Sequence, residues 1–183
     1  CRNSTALYGY EMKIVDEDMN EISNGGIGDI IVKGDNVMQG YLGRPEATDE
    51  TIVNDWLLTG DMGYMDDEGF LFIVDRRKDL IISKGINIYP REIEEVIDVF
   101  EGVGVSAVIG IVDEKSGEAP VVYIELDEGV ERLDEAGLKK YMREHLANYK
   151  IPKQIHVINE LPKNATGKVL KRVLKDNLRE EDI

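Results

Sequence analysis

All four charged side chains in the segment LPKNATGKVLKR, residues 161–172, are basic, although the whole chain has a formal net charge of −15. These side chains are Lys163, Lys168, Lys171 and Arg172. The pattern predicts that a final helix begins near Thr166 to Lys168, where a lysine opposes the helix dipole. A cation beside a helix N-terminus is typical of a phosphate or carboxylate site. From this segment alone, a solvent-exposed lysine on a polar loop is an equally good interpretation.

The basic segment does not have the spacing of a phosphate-binding loop. That motif requires a glycine five residues before the Gly-Lys pair and a serine or threonine directly after it. Pro162 and Val169 occupy these two positions. The segment is therefore a candidate anion site of another kind.

Two further residues have side chains suited to a nucleotide. Asp61 lies in TGDMG, where small residues allow close approach and a carboxylate can accept two hydroxyl hydrogen bonds from a ribose. Arg76 has a planar guanidinium that suits a ribose or a phosphate. The simpler interpretations are that Asp61 caps a turn and that Arg76 pairs with Asp75 or Asp79 on the surface.

The composition limits the classes of protein to which the chain can belong. Its 183 residues are 42% hydrophobic and 32% charged, as in ordinary globular domains. The acidic charge argues against broad binding to nucleic acids or acidic membranes. Cys1 is the only cysteine, which excludes an internal disulfide and a cysteine metal cluster. The sequence has no run of about 18 apolar residues and no secretory pattern at its start. We therefore expect a cytoplasmic protein, with peripheral membrane contact left open.

Residues 1–75 are expected to be rich in β-strands. The stretches YEMKIVD, GDIIVKG and GFLFIVD contain β-branched residues, and MDDEG predicts a tight turn that closes a hairpin. RPEATDETIVND predicts a single helical turn. This segment holds 16 acidic and four basic residues, whereas residues 76–183 hold 21 and 18, so a module boundary is expected near VDRRKD.

Residues 76–183 predict a compact α+β domain of three strands and alternating helices. The strands are GVSAVIGIVD, APVVYIELD and KQIHVI. Helical spacing places three sets of apolar or aromatic residues inward: Ile93, Val96, Ile97 and Phe100; Leu138, Tyr141, Met142 and His145; and Leu170, Val173, Leu174 and Leu178.

Five stretches occur in the order found in adenylate-forming enzymes. They are GDIIVKGDNVMQGYLGRPEAT, WLLTGDMG, GFLFIVDRRKDLIISKGINIYPREIEEVI, YKIPKQI and LPKNATGKVLKR. The sequence resembles the C-terminal third of an acyl-CoA synthetase of this superfamily, which also includes luciferases and peptide-synthetase adenylation domains. The resemblance implies an α+β fold in which residues 1–75 are a β-barrel-like remnant of the large N-terminal domain. It also implies that residues 76–183 are the mobile C-terminal domain, with a roughly three-stranded sheet and flanking helices.

The resemblance also implies roles for individual residues. Asp61 would bind the ribose hydroxyls of ATP and AMP, and Arg76 would contact the same ribose and a nearby phosphate. Lys168 would bridge the substrate carboxylate and the α-phosphate during adenylation. Lys78 falls on the hinge position; apart from the resemblance, it is an ordinary surface lysine.

A second group of residues would serve the thioester-forming step. Gly85, in SKGINIYP, lies on the stretch that enters the active site in that step, and Lys84 and Tyr89 would line the pantetheine tunnel. Two positions depart from the family pattern. Asp75 replaces a glycine that often precedes the arginine, and SKG has one glycine where many relatives have two. Lys84 would then narrow the loop or meet an anion such as a CoA phosphate.

The resemblance implies an ATP-dependent ligase that activates a medium- or long-chain fatty acid as acyl-AMP and transfers it to CoA. Its substrates would be ATP, the acid and CoA, with Mg²⁺ entering with ATP and bound by residues upstream of this sequence. The chain would pack against its own N-terminal domain and be inactive alone, and no metal site is expected within it. Two alternatives remain open: an enzyme that loads a carrier-protein thiol, and a non-catalytic binding module. The oligomeric state is left open.

Overall fold

The computed structural model describes residues 9–181, with side chains described as far as Leu178. Cys1, from which the absence of an internal disulfide was inferred, lies outside the described residues. The chain divides into two compact units, Cys1–Lys78 and Asp79–Ile183. Each unit has its own five-stranded sheet, so the α+β class is confirmed.

The first unit is a curled half-barrel of antiparallel strands. Strand β4 (Trp56–Met65) is its centre, since it pairs with β2 (Gly28–Gly34) on one side and with β3 (Ile52–Val53) and β5 (Leu71–Arg76) on the other. Ile14, Ile30 and Leu71, all strand residues of this sheet, form its small buried core. The elements are β1 (Tyr10–Val15), β2 (Gly28–Gly34), α1 (Pro45–Thr51), β3 (Ile52–Val53), β4 (Trp56–Met65) and β5 (Leu71–Arg76).

The turn between β4 and β5 forms where MDDEG predicted it. The side chain of Asp66 accepts hydrogen bonds from the backbone N–H groups of Glu68 and Phe70, at 3.0 and 2.8 Å. Gly69 supplies the positive φ of 80° that closes the turn. The predicted hairpin is therefore confirmed, and so is the helical turn of α1.

The second unit contains the three predicted strands and a hairpin that adds two more. Its elements are β6 (Ile81–Ser83), β7 (Ile86–Ile88), α2 (Pro90–Ile97), β8 (Val103–Asp113), β9 (Gly117–Leu126), α3 (Glu135–His145), β10 (Gln154–Ile158) and α4 (Lys171–Glu181). Strand β9 is central: it pairs with β8 in antiparallel and β10 in parallel orientation. At its first residue, β9 also pairs with β6 through Gly117 and Ser83.

Both faces of this sheet are covered, which explains why β8 and β9 are almost continuously apolar. One face packs against α2 and α3 through Ile93, Ile97, Leu138 and Met142, all fully buried. The other face packs against α4 through Leu174. The helices therefore enclose the sheet and leave its ends and connecting loops accessible.

Three details of the predicted helices are wrong. Helix α4 begins at Lys171, later than Thr166 to Lys168, because the preceding residues are hydrogen-bonded as a loop. Leu170 and Val173 are 39% and 36% exposed, so α4 contacts the core through Leu174, with Leu178 partly buried against it. His145 is exposed at the end of α3, where its ring Nδ1 lies 2.9 Å from the carbonyl oxygen of Tyr141.

Candidate functional site

Asp61 and Arg76 face each other on neighbouring strands of the first unit. They are directly paired across β4 and β5, and Arg76 Nε lies 3.2 Å from Asp61 Oδ1. Both side chains remain partly exposed, at 30% and 46%. The structure thus brings together the two residues predicted to bind a nucleotide and leaves both accessible to a ligand.

A β-bulge in β4 determines where Asp61 points. Residues 59–61 of β4 lie opposite the single residue Ile30 of β2. Thr59 Oγ1 donates to the carbonyl oxygen of Ile30 at 2.8 Å and accepts from the backbone N–H of Asp61 at 3.1 Å. Gly60 provides the positive φ of 75° between them. Bulges commonly change the direction of a side chain beside a functional site. In the sequence TGD, the threonine supplies the hydrogen bonds of this bulge and the glycine supplies its positive φ.

The chain leaves the first unit through a single 3-10 turn, Arg77–Asp79. Lys78, the predicted hinge residue, is exposed, and no ion-pair partner is found for it in the described part of the chain. Arg77 binds two carboxylates of the first unit, Asp29 and Glu17. Burial raises the pKa of Asp29, while the nearby Arg77 guanidinium acts in the opposite direction.

Lys84 and Gly85 form the two-residue turn of the β6–β7 hairpin. Both have positive φ, 52° and 76°, which is the conformation of a type I′ turn. The backbone N–H of Lys84 donates to the carbonyl oxygen of Ser116 at 2.7 Å. Many relatives have a second glycine in this turn, whereas here Lys84 adopts the left-handed conformation in its place, at some cost in free energy. Its side chain is exposed, and Tyr89 is half-buried at the N-cap of α2.

Lys168 lies on an exposed loop that Asn164 organises. The side-chain Oδ1 of Asn164 accepts hydrogen bonds from Thr166 N, Thr166 Oγ1 and Lys168 N, at 3.0, 2.8 and 2.9 Å. The backbone of Asn164 also donates to the carbonyl oxygen of Lys168 and accepts from Gly167. Among the described residues, the Lys168 ammonium has no ion-pair partner. The backbone of this loop is thus ordered while its terminal amine stays available.

The base of the loop is fixed to the far end of β9. Glu125 binds Lys163 Nζ at 2.9 Å and accepts from the backbone N–H of Leu161 at 2.9 Å. The Leu161 N–H and then Lys163 lower the pKa of Glu125 below its ordinary value. Beyond the loop, Lys171 begins α4 and pairs with Glu94 of α2 at 2.7 Å, with both side chains largely buried.

The two predicted catalytic segments therefore lie at opposite ends of one strand. The Lys84–Gly85 turn is attached near Gly117, where β9 begins, and the Lys168 loop is attached at Glu125. Eight residues of extended chain correspond to roughly 26 Å. The two segments cannot occupy one small site at the same time.

Several residues that shape these sites are not predicted by the sequence. Thr59, Arg77, Glu125 and Asn164 all act through hydrogen bonds or ion pairs to other residues. Only Asn164 had a local signal, since an asparagine two residues before a threonine and close to a glycine is typical of a side-chain-capped turn.

Residues 92–168 match the AMP-binding enzyme C-terminal domain. The chain is 46% identical over 169 residues to a long-chain-fatty-acid–CoA ligase of Salmonella typhimurium, covering 92% of this chain and 30% of the relative. It is 47% identical over 171 residues to a 2-succinylbenzoate–CoA ligase of Listeria monocytogenes, covering 93% and 34%. The structure of o-succinylbenzoate CoA synthetase from Bacillus subtilis, in complex with its acyl-adenylate intermediate, matches with a TM-score of 0.85 and 43% identity over 93% of this chain and 34% of that one.

The chain is thus similar, over more than nine-tenths of its length, to adenylate-forming CoA ligases, a family that uses ATP and CoA. The chain spans about a third of the length of the curated relatives it matches. None of the helices in the described range is long and apolar enough to cross a membrane. Within that range no three His, Cys, Asp or Glu side chains are grouped so as to hold a metal, so we assign no Mg²⁺ ligands here.

Proposed function

We propose that this chain is the C-terminal part of an ATP-dependent ligase that joins a medium- or long-chain fatty acid to CoA through an acyl-adenylate. The observation that carries the proposal is the arrangement in the second unit. A lysine that has no ion-pair partner among the described residues lies on an ordered loop at one end of β9, and the SKG hairpin lies at the other.

In the first step, the acid's carboxylate would attack the α-phosphorus of ATP. A new acyl–phosphate bond forms and pyrophosphate leaves. Two anions must meet, so a cation at their junction offsets their repulsion and stabilises the charge that develops. We assign this role to Lys168, and nucleotide binding to Asp61 and Arg76, whose partly exposed side chains can exchange their mutual contact for contacts to a ribose.

In the second step, the CoA thiolate would attack the acyl carbonyl carbon. A carbon–sulfur bond forms and AMP leaves. The separation of roughly 26 Å along β9 requires the second unit to reorient between steps. We assign the pivot to Lys78, in the turn where the chain passes between its units, and entry of the CoA thiol to the Lys84–Gly85 turn and Tyr89. The mobile domain would accordingly begin after Lys78, and Arg76 would stay with the first unit. This point is close to the predicted boundary between residues 75 and 76.

The substitution Lys168→Ala in the full-length enzyme, of which this chain would be a part, tests the assignment. We expect the rate of adenylation, measured as ATP–pyrophosphate exchange in the presence of a fatty acid, to fall by about 10²- to 10³-fold. This is the cost of losing one charge-stabilising group. Conversion of preformed acyl-AMP and CoA to thioester should continue. Lys140→Ala, which removes an exposed lysine of α3, is the control. Equal loss of both half-reactions would contradict the assignment.

The curated relatives support two kinds of acid substrate. A fatty acid is supported by the Salmonella typhimurium relative, and an aromatic acid such as 2-succinylbenzoate is supported by the Listeria monocytogenes relative at similar identity. Pyrophosphate exchange with fatty acids of graded length and with 2-succinylbenzoate distinguishes them. Exchange with the aromatic acid alone would replace the fatty-acid assignment. The 183-residue chain by itself should support exchange with neither acid.

Two other classes make different predictions. A carrier-protein-loading enzyme would transfer its acyl group to a phosphopantetheinylated carrier faster than to CoA; GKVLKR rather than GKVDR favours CoA. A binding module would use the basic loop to dock an acidic partner, and Lys168→Ala would then weaken that docking without changing any half-reaction.

A further inference from the structure

The residue before the proposed pivot makes contacts that the proposed mechanism does not use. Arg77 binds Asp29 through the guanidinium nitrogen Nη1 and Glu17 through Nη2, the latter at 2.9 Å. These partners lie 48 and 60 residues away in the sequence. We call Arg77, Asp29 and Glu17 the arginine clamp; all three belong to the first unit.

The sheet geometry explains how the clamp reaches its partners. Asp29 of β2 is paired with Met62 of β4, which is paired with Asp75 of β5. Residues paired in this way share one face of the sheet, and Arg77 follows β5 in the 3-10 turn, from which its side chain reaches Asp29. Its side chain therefore crosses β4 and joins the end of β5 to β2, about two strand spacings or roughly 9 Å away.

The clamp lies where the sheet is otherwise weakly held. Among the strands that the structure describes, β5 pairs only with β4, and the ends of such edge strands open readily. Arg76, the last residue of β5, depends on that end for its position opposite Asp61. The Asp29 side chain is only 14% exposed, so its bond to Arg77 is shielded from solvent more than a surface ion pair is.

We propose that the arginine clamp holds the end of β5 on the first unit while the second unit reorients. Arg77 is a positioning residue: motion begins at Lys78, and Arg76 keeps its place opposite Asp61 in both half-reactions. This inference rests on the proposed function only for its catalytic consequence. The holding of β5 itself is independent of any substrate.

Hydrogen exchange of the full-length enzyme, measured without substrate, tests the clamp directly. In Arg77→Met, backbone amides of residues 71–78 should exchange about tenfold faster, while amides of β8 and β9 and the melting temperature stay unchanged. Arg77→Lys, which keeps one ionic contact, should show an intermediate rate. The control is Lys33→Met, which removes another long-range ion pair of the same sheet, Lys33 to Asp55 at 3.1 Å. Unchanged exchange at residues 71–78, or faster exchange throughout the chain, would overturn the proposal.

Kinetics of the same variants test the catalytic consequence. Arg77→Met should raise the KM for ATP by about tenfold with a smaller change in kcat, since Arg76 becomes less well positioned. Lys33→Met should leave both unchanged. A fall in kcat with an unchanged KM would overturn this part. Because hydrogen exchange needs no substrate, an absence of ligase activity in the wild-type full-length enzyme would refute the proposed function, and hydrogen exchange alone would then decide on the clamp.

Discussion

At the scale of single residues, one amide oxygen determines how Lys168 is presented. Asn164 Oδ1 accepts three hydrogen bonds inside a loop that has little packing of its own, since a Cβ placed on Gly167 would have no atom within 4 Å. Lys168 is therefore positioned by hydrogen bonds and not by burial. A displacement of about 1 Å at a reacting group can cost as much as 10²-fold in rate.

Asn164→Ala should therefore slow adenylation by about ten- to a hundredfold and leave the thioester step from preformed acyl-AMP nearly unchanged. Asn164→Asp keeps the accepting oxygen and should retain most of the activity. Pyrophosphate exchange and thioester formation, measured beside the melting temperature of each variant, give the comparison. An equal loss in Asn164→Ala and Asn164→Asp would indicate that this oxygen does not position Lys168.

At the scale of elements, the β6–β7 turn is where backbone conformation and proposed function coincide. Gly85 has a φ of 76° and Gly129, in another turn of the same unit, has a φ of 84°; neither would bring a new Cβ within 4 Å of another atom. Alanine at either position should lower the free energy of unfolding by about 1 kcal/mol through backbone strain alone. Comparison of Gly85→Ala with Gly129→Ala therefore separates the effect of backbone strain on stability from any effect on catalysis.

Gly85→Ala should slow the thioester step severalfold, whereas Gly129→Ala should not. Both variants should show the same loss of stability in chemical denaturation. Thioester formation from preformed acyl-AMP is the deciding measurement. Equal rates in the two variants would remove the hairpin turn from the CoA step.

The longer elements could be predicted from sequence because their apolar pattern is strong. Strands β8, β9 and β10 are confirmed, and β4 escaped recognition because Gly60 and Gly63 resemble turn residues within what is one strand. The β6–β7 hairpin was not predicted because each strand has three residues and its turn begins with Lys84 instead of asparagine, aspartate or glycine.

The site could be predicted only in part. Asp61, Arg76 and Lys168 were predicted individually, and the structure adds the contact between Asp61 and Arg76; their catalytic roles stay predictions. The partners of Arg77 and the contact of Glu125 with Lys163 join residues at least 38 positions apart, which a single sequence does not reveal. The start of α4 was misplaced because Asn164 and Gly167 close a loop there.

At the scale of the whole molecule, the reorientation proposed for the second unit would require a flexible chain at Lys78. Lys78→Pro would fix φ there and also push Arg77 toward an extended conformation. We expect the thioester step to slow at least tenfold more than adenylation, since adenylation requires one arrangement and turnover requires two. Separate measurement of the half-reactions, with Lys140→Ala as the control, checks this. Equal slowing of both steps would count against a pivot at Lys78.

Acid stability of the second unit should depend on the β8–β9 turn. Hydrogen bonds from Lys153 and Ser116 lower the pKa of Asp113 to about 2, from 3.8. A carboxyl group with a lowered pKa in the folded state stabilises the fold above its unfolded pKa, and the stabilisation is lost as pH falls through the folded value. The melting temperature should therefore fall between about pH 4 and pH 2. Asp113→Asn should reduce this slope, and parallel curves for the two proteins would exclude the contribution.

The separation of the two loops along β9 also has a consequence for chemical labelling. If each end of the strand enters the active site in turn, the amines of Lys84 and Lys168 are shielded in alternation. An amine-reactive reagent should modify Lys84 preferentially when an acyl-adenylate analogue is bound in the adenylation arrangement, and Lys168 when a thioester-stage inhibitor is bound. Because the two lysines lie at opposite ends of one β-strand, each would be protected from the reagent in the step in which the other is modified.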